Sequence, residues 1–411
     1  MLLATATWAL AAVLGATGTL QLGLRAELRG LDGGPAGAGL FEPVPLQIEP
    51  TLDLAGQLER RLAYTVALAP RLLLLAGPTG SHGIDSSAGY YAGSASLSWL
   101  ADERSTLAVT GSGSRGTMVM SPLAQFTTAT GSGSSGGAAG GAAAPGAGLL
   151  DPAAGVRAGE YSSVALRAAF DWRATATLML GGGVGGARGG GLNPASRILF
   201  PAVDTAVADA RAALAVTPRD RLGLQGSYAR THLASQGTVG IAGTLAQWSR
   251  SLERELGGTL GAGVDVTVQD DLPSASGRTA SRLAPHLAAS LTSAAPASGP
   301  GLGLDARLSY APYVDQYSNA VRQRLGGSLT LDWLLGPRHR ISWASFGATV
   351  LDAGGARLGV VASELGGWYR RDDLEVGFTL RGGAQQSPAP VSTIRQWSLG
   401  VVARWRSGAL E

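Results

Sequence analysis

The side chains that could do chemistry in this chain are few and scattered. His82, His232, His286 and His339 are its four histidines, and no two stand at a spacing that closes a zinc site. Ser290 follows His286 on the same face of an extended segment. Four residues of strand would hold them roughly 13 Å apart, too far for a base to take a proton from a nucleophile. Asp270-Asp271 and Asp372-Asp373 are paired carboxylates that could meet a divalent cation, but both fall at turn or loop positions and read as solvated. Gly111-Ser112-Gly113-Ser114-Arg115-Gly116 spells GxGxxG, yet no helix follows to offer its N-terminus to a phosphate. No catalytic residue, metal or cofactor is therefore expected.

The charges that recur at alternate positions are more informative. Arg25, Glu27, Arg29, Glu49, Asp53, Arg167, Asp209, Arg211, Asp265, Asp305, Arg307, Arg322, Arg324, Asp332, Glu375 and Arg381 all sit on the polar side of a two-residue repeat. Fixed charges lining a water-filled passage bias which solutes enter it. Acids and bases are mixed, so selectivity for one sign is expected to be weak. The alternative is that Arg–Asp pairs brace neighbouring strands, each worth ~0.2–1 kcal/mol.

That repeat runs along nearly the whole chain. Val44, Leu46, Ile48, Leu52, Leu54 and Leu58 oppose Gln47, Glu49, Thr51, Asp53 and Gln57. Leu256, Leu260, Val264, Val266 and Val268 oppose Thr259, Asp265 and Thr267, and Leu325, Leu329, Leu331 and Trp333 oppose Arg324, Ser328, Thr330 and Asp332. Only extended backbone turns alternation into one apolar and one polar face. The composition agrees with a chain apolar on average but without long runs: 62 of 411 residues are Gly, 45% are hydrophobic, 15% are charged, and Cys is absent. All 32 basic residues are Arg, the net charge is +3, and no nucleic-acid footprint is visible.

The alternating segments run about ten to seventeen residues, whereas soluble strands average five or six. A tilted strand crossing a bilayer needs about nine to eleven. A transmembrane barrel of about eighteen strands follows, with its apolar face to lipid and its polar face to the lumen. A large soluble β-helix or propeller is the competing architecture, but no fixed repeat period supports it. Thr238 to Gln247 and Leu358 to Trp368 alternate poorly.

Short charged turns follow Leu58, Leu100, Phe170, Val216, Trp248, Leu335 and Tyr369. Longer, charge-poor connections lie between them, the longest running from about 120 to 159 and rich in Gly, Ala and Ser. That loop could fold inward as a constriction or stay outside. Trp99, Trp172, Trp248, Trp333, Trp368 and Trp405 stand at strand ends on the short-turn rim. Tyr91, Tyr228 and Tyr310 stand towards the other rim, as two headgroup belts would require. Residues 1–18 read as a secretion signal, leaving 19–411 as one barrel domain. A start further upstream, or a first strand extended backwards, are the other readings.

The chain resembles the Gram-negative outer-membrane β-barrel class. The resemblance rests on the strand pattern and on Ser398-Leu399-Gly400-Val401-Val402-Ala403-Arg404-Trp405, which looks like the C-terminal assembly signal of that class. The tail Arg406–Glu411 departs from members that stop at the aromatic. Strand number and the Gly- and Arg-rich composition are similar both to porins and to barrels that export secreted polysaccharide in social Gram-negative bacteria. The resemblance implies an outer-membrane location, a lipid surround, assembly machinery as partner and no nucleic acid. It also implies a channel for hydrophilic solute, by diffusion or by export of a polysaccharide handed up by a periplasmic partner. A non-conducting barrel that anchors a surface assembly is the alternative.

Overall fold

The computed structural model describes residues 17–32, 40–42, 46–74, 87–120, 157–234, 237–252, 256–270, 280–294, 300–314, 321–351, 357–386 and 393–406. The expected signal segment lies outside them up to residue 16. Thr17 and Gly18 open the first strand, paired with Ala55 and Leu54. Nearly all of the long loop, 121–156, also lies outside the described residues.

The strands in chain order are β1 Thr17–Asp32, β2 Leu40–Glu42, β3 Leu46–Glu59, β4 Leu62–Leu74, β5 Ser87–Asp102, β6 Ser105–Met120 and β7 Arg157–Arg173. Then come β8 Leu178–Gly191, β9 Val203–Ala215, β10 Asp220–Leu233, β11 Gly237–Ser251, β12 Leu256–Asp270 and β13 Ala280–Ser293. The rest are β14 Gly301–Val314, β15 Val321–Leu334, β16 His339–Leu351, β17 Arg357–Arg371, β18 Leu374–Gln386 and β19 Thr393–Arg406. One helix stands among the described residues, α1 Pro194–Leu199.

From β3 onward each strand pairs antiparallel with the next. β1 pairs with β3 on one side and β19 on the other, so the ladders return to their first strand. The three-residue β2 pairs with β1 in a register one residue off that of β3. Eighteen long strands thus make the up-and-down barrel, each of 13 to 17 residues.

Its two faces invert the usual order of a protein. On β19, Trp397, Leu399, Val401 and Trp405 are exposed while Gln396, Ser398 and Val402, at positions of the opposite parity, are buried. Followed through the register, that parity puts Leu222, Leu224, Leu260, Val264, Leu308 and Trp333 on the exposed outer face. Thr379, Arg381 and Glu364 fall on the inner face, and all three are buried. An exposed apolar wall of this size has hydrocarbon, not water, as its fitting solvent.

Candidate functional site: the interior face

All sixteen charged positions share one parity around the ring. Arg25, Glu27 and Arg29 stand in register with Val402, Gly400 and Ser398, and Glu49 with Gly23. The other twelve, from Asp53 to Arg381, fall on the same side of the sheet by register, although on β3 burial is reversed: Leu52 and Leu54 are buried and Asp53 between them is exposed. Among the described residues, most of them pair with a charge of opposite sign.

The densest group spans β7 to β9. Arg211 of β9 donates from Nη2 to both carboxylate oxygens of Asp171 on β7, at 2.6 and 2.8 Å. Arg167 of β7 pairs in the other direction with Asp209 of β9. Both pairs cross β8, whose inward positions Gly181 and Gly183 carry no side chain. A Cβ on Gly181 would lie 2.3 Å from Asp171 Oδ1, and one on Gly183 would lie 2.9 Å from Arg167 Nη2. The run LMLGGGVGGARGGG therefore leaves the floor over which these ions meet.

A second group lines β15 to β19. Arg381 and Glu364 are directly opposite, ion-paired and buried, at 2% and 8% side-chain exposure. Arg340 holds Asp332 at 2.6 Å, and Arg404 stands 3.6 Å from Glu375. The Arg404 guanidinium also lies 4.7 Å from the centroid of the Trp368 ring, whose indole N–H donates to Ser342 at 3.2 Å. Trp368 is therefore a correction: it stacks under an arginine on the interior face and does not belong to the lipid belt. Its position among Gly366 and Gly367, where the alternation is weak, hid its direction.

The third group lies on β12 to β14. His286 Nδ1 is 3.2 Å from Asp265 Oδ2, so the histidine has a carboxylate beside it, while Ser290 is one inward position beyond Ala288. Arg307 makes a two-pronged contact with Asp305 of its own strand at 2.7 and 2.8 Å. Arg322 and Arg324 share the interior face of β15.

Trp99, Trp172, Trp248, Trp333 and Trp405 are exposed on the outer face next to the short turns, as is Trp343. The Trp248 indole N–H turns back to Asp220 Oδ1 at 3.2 Å, keeping its polar edge at the rim. Tyr91, Tyr228 and Tyr310 are on the outer face in the other half.

Two features were not legible in the alternation. Glu364 sits among inward Val360, Ala362 and Gly366, which erase the polar period. The other is α1. Asn193 caps it by accepting from Ser196 N at 2.8 Å, and Ser196 Oγ in turn accepts from Glu160 N at 2.9 Å. Phe200, just past the helix, meets inward Tyr161 edge to face at 5.3 Å. Phe200, Tyr161, Val203, Leu233 and Val239 are all buried, the last four at inward register positions near the long-loop rim. The β8–β9 connection thus folds over the interior.

Chemically the face offers charge pairs and hydroxyls but, among the described residues, no group of three ligating side chains. Gly111–Gly116 is strand backbone of β6.

No protein-family model matches the chain, and no curated relative matches it. Solved structures resemble it in shape. A BenF-like porin from Pseudomonas fluorescens Pf-5 has a TM-score of 0.47 at 10% identity, over 93% of this chain and 97% of that one. Pseudomonas aeruginosa OccK2 (OpdF), in complex with glucuronate, has 0.47 at 12% identity, over 95% and 98%. The FrpB iron transporter of Neisseria meningitidis (F5-1 variant) has 0.47 at 8% identity, over 94% and 82%.

Proposed function

We propose that the chain is an outer-membrane barrel whose interior passes small hydrophilic solutes by diffusion. The observation that supports this is the sorting of the wall: charged and hydroxyl side chains on the inner face, exposed apolar ones outside. Such a wall shields a polar path from hydrocarbon without any chemical step. Because most interior charges carry a partner of opposite sign, the path discriminates weakly between anions and cations. Lipid is the outer partner, and Ser398–Trp405 in the last strand is the segment offered to assembly machinery.

Conductance of the purified protein in a planar lipid bilayer tests this reading. Stable, ohmic openings are expected, and silence from heat-modifiable, folded protein would overturn it. The export version adds a polymer handed up by a periplasmic partner. It predicts that polysaccharide added to one side blocks the current in long, length-dependent events, whereas diffusion of small solutes predicts exclusion of the polymer.

A second reading has a specific observation in its favour. The ion pairs crossing β8 and the inward fold of α1 both occupy interior space. A non-conducting barrel that anchors a surface assembly would use them as filling, and would remain silent in the same bilayer.

A further inference from the structure

The ladder between β13 and β14 stops halfway. Seven residue pairs join them, from Ser293–Leu304 at the short-turn end to Leu287–Tyr310. Both strands continue towards the long-loop rim, to Ala280 and Val314. Their other neighbours stay paired throughout: β12 holds β13 to Ala280, and β15 holds β14 to Val314.

The sequence explains where the ladder stops. At Pro50–Pro70 the β3–β4 ladder breaks in the same way but resumes at Ile48–Leu72, whereas β13 and β14 stay apart. In an antiparallel ladder each residue addresses one neighbour with both its N–H and its C=O, and the side alternates along the strand. Two bonds at the short turns fix that alternation: Ser251 N to Arg219 O at 2.9 Å, and Leu335 N to His339 O at 3.0 Å. Carried through the registers from either side, they agree. The odd-numbered residues of β13 and the even-numbered residues of β14 address each other. Leu287–Tyr310 is thus a hydrogen-bonding pair, and the next such pair on the same register would be Pro285 with Pro312. Neither has an N–H to give, so the step loses both of its bonds at once. Proline in the interior of a sheet is ordinarily confined to edges, and here two meet.

What the seam touches differs on its two sides. Outward it is flanked by Leu283, exposed to 76%, by Pro285 and Leu287, and by Tyr310, Pro312 and Val314. Inward lie Arg282 and the Asp265–His286 pair. By the same alternation the carbonyls of Pro285 and Pro312 face the seam as acceptors with no opposing donor. Unpaired strand edges are not tolerated in hydrocarbon unless they meet water or a polar group from a cavity.

We infer that the outer half of the β13–β14 seam is a lateral passage between the barrel interior and the outer leaflet. It admits an amphiphile: a hydroxyl- or ammonium-bearing head lies between the strands and donates to the free carbonyls, and the alkyl chain lies outward against Leu283, Pro285 and Pro312. This rests on the barrel fold and not on solute passage, and bilayer conductance of the same preparations reports the channel separately.

The test restores the missing donors with Pro285→Val and Pro312→Val together. Since the chain has no cysteine, Ala284→Cys with Tyr313→Cys places a thiol pair at the opposed position next to the proline step, where a closed ladder gives disulfide geometry. Little oxidative cross-link is expected with the native prolines, and at least fivefold more in the double-valine background. Arg282→Cys carrying a bimane is then read in vesicles of phosphatidylethanolamine brominated at mid-chain. Quenching at least twofold stronger with the native prolines than with both valines is expected. Equal cross-linking in the two backgrounds, or equal quenching, overturns the passage. Each single valine restores one bond and is read the same way should the double variant fail to fold.

Discussion

Arg211 reaches Asp171 from two strands away, over the backbone of Gly181, with contacts of 2.6 and 2.8 Å. The reach is open only because that position of β8 is empty of side chain. Gly181→Ala puts a methyl group 2.3 Å from Asp171 Oδ1, so the carboxylate must move. Both partners are more than a third exposed, which keeps the pair weak. A double-mutant cycle of Asp171→Asn and Arg211→Gln should give a coupling of about 0.5 kcal/mol in the native background. The same cycle should give nothing in Gly181→Ala, read from urea unfolding in lipid vesicles. Equal couplings would show that the glycine is not what makes room.

Arg381 and Glu364 stand in a different regime, because water hardly reaches either. Removing one partner of a buried pair leaves an uncompensated charge and costs about 3–5 kcal/mol. Glu364→Gln should lower barrel stability by an amount of that order. Glu364→Met with Arg381→Met should recover most of it, since two apolar side chains need no partner. A double variant as unstable as the single one would mean the pair adds net stability.

The difference between these two pairs marks how far the sequence could be read. Asp209, Arg211, Asp265 and Asp332 announce their face because apolar residues flank them on both sides in strict alternation. Glu364 does not, since Val360, Ala362 and Gly366 share its face. Trp368 is illegible for the same reason, and only the register with Gly377 turns it inward. Partner choice across β8 is not a periodic property at all. It depends on which strands flank a glycine run, and that is set by ladder order. The stop in the β13–β14 ladder likewise needs two registers at once, since Pro285 and Pro312 are ordinary when each is read alone.

α1 places bulk over the interior at the long-loop rim. Phe200 packs on Tyr161, and the backbone of Ala234 donates to Ala202 O at 3.3 Å, tying the connection to the wall. If solutes pass there, Phe200→Ala removes an aromatic ring from the narrowing without unseating the Asn193 cap. Single-channel conductance should rise by roughly a tenth to a third, and replacing 194–199 by a short Gly-Ser link should raise it further. Unchanged conductance in both variants would place the limiting section elsewhere, with Arg322 and Arg324 on β15 the next candidates for substitution.

The orientation of the wall itself can be tested at one strand. Val264 lies near the middle of β12 and faces outward, exposed, while Asp265 beside it faces inward and is buried. An arginine on the lipid face near the bilayer midplane costs about 2–4 kcal/mol, falling to about 0–1 near the interfaces. Val264→Arg should therefore destabilise the folded barrel in vesicles by about 3 kcal/mol. Val268→Arg, four residues nearer the rim on the same face, should cost less. Ser290→Arg, on the interior face of β13, meets polar surroundings that include Arg307 opposite it and should cost under 1 kcal/mol. Reversal of that order, with the inward arginine the costlier one, would turn the barrel inside out and remove the polar path with it.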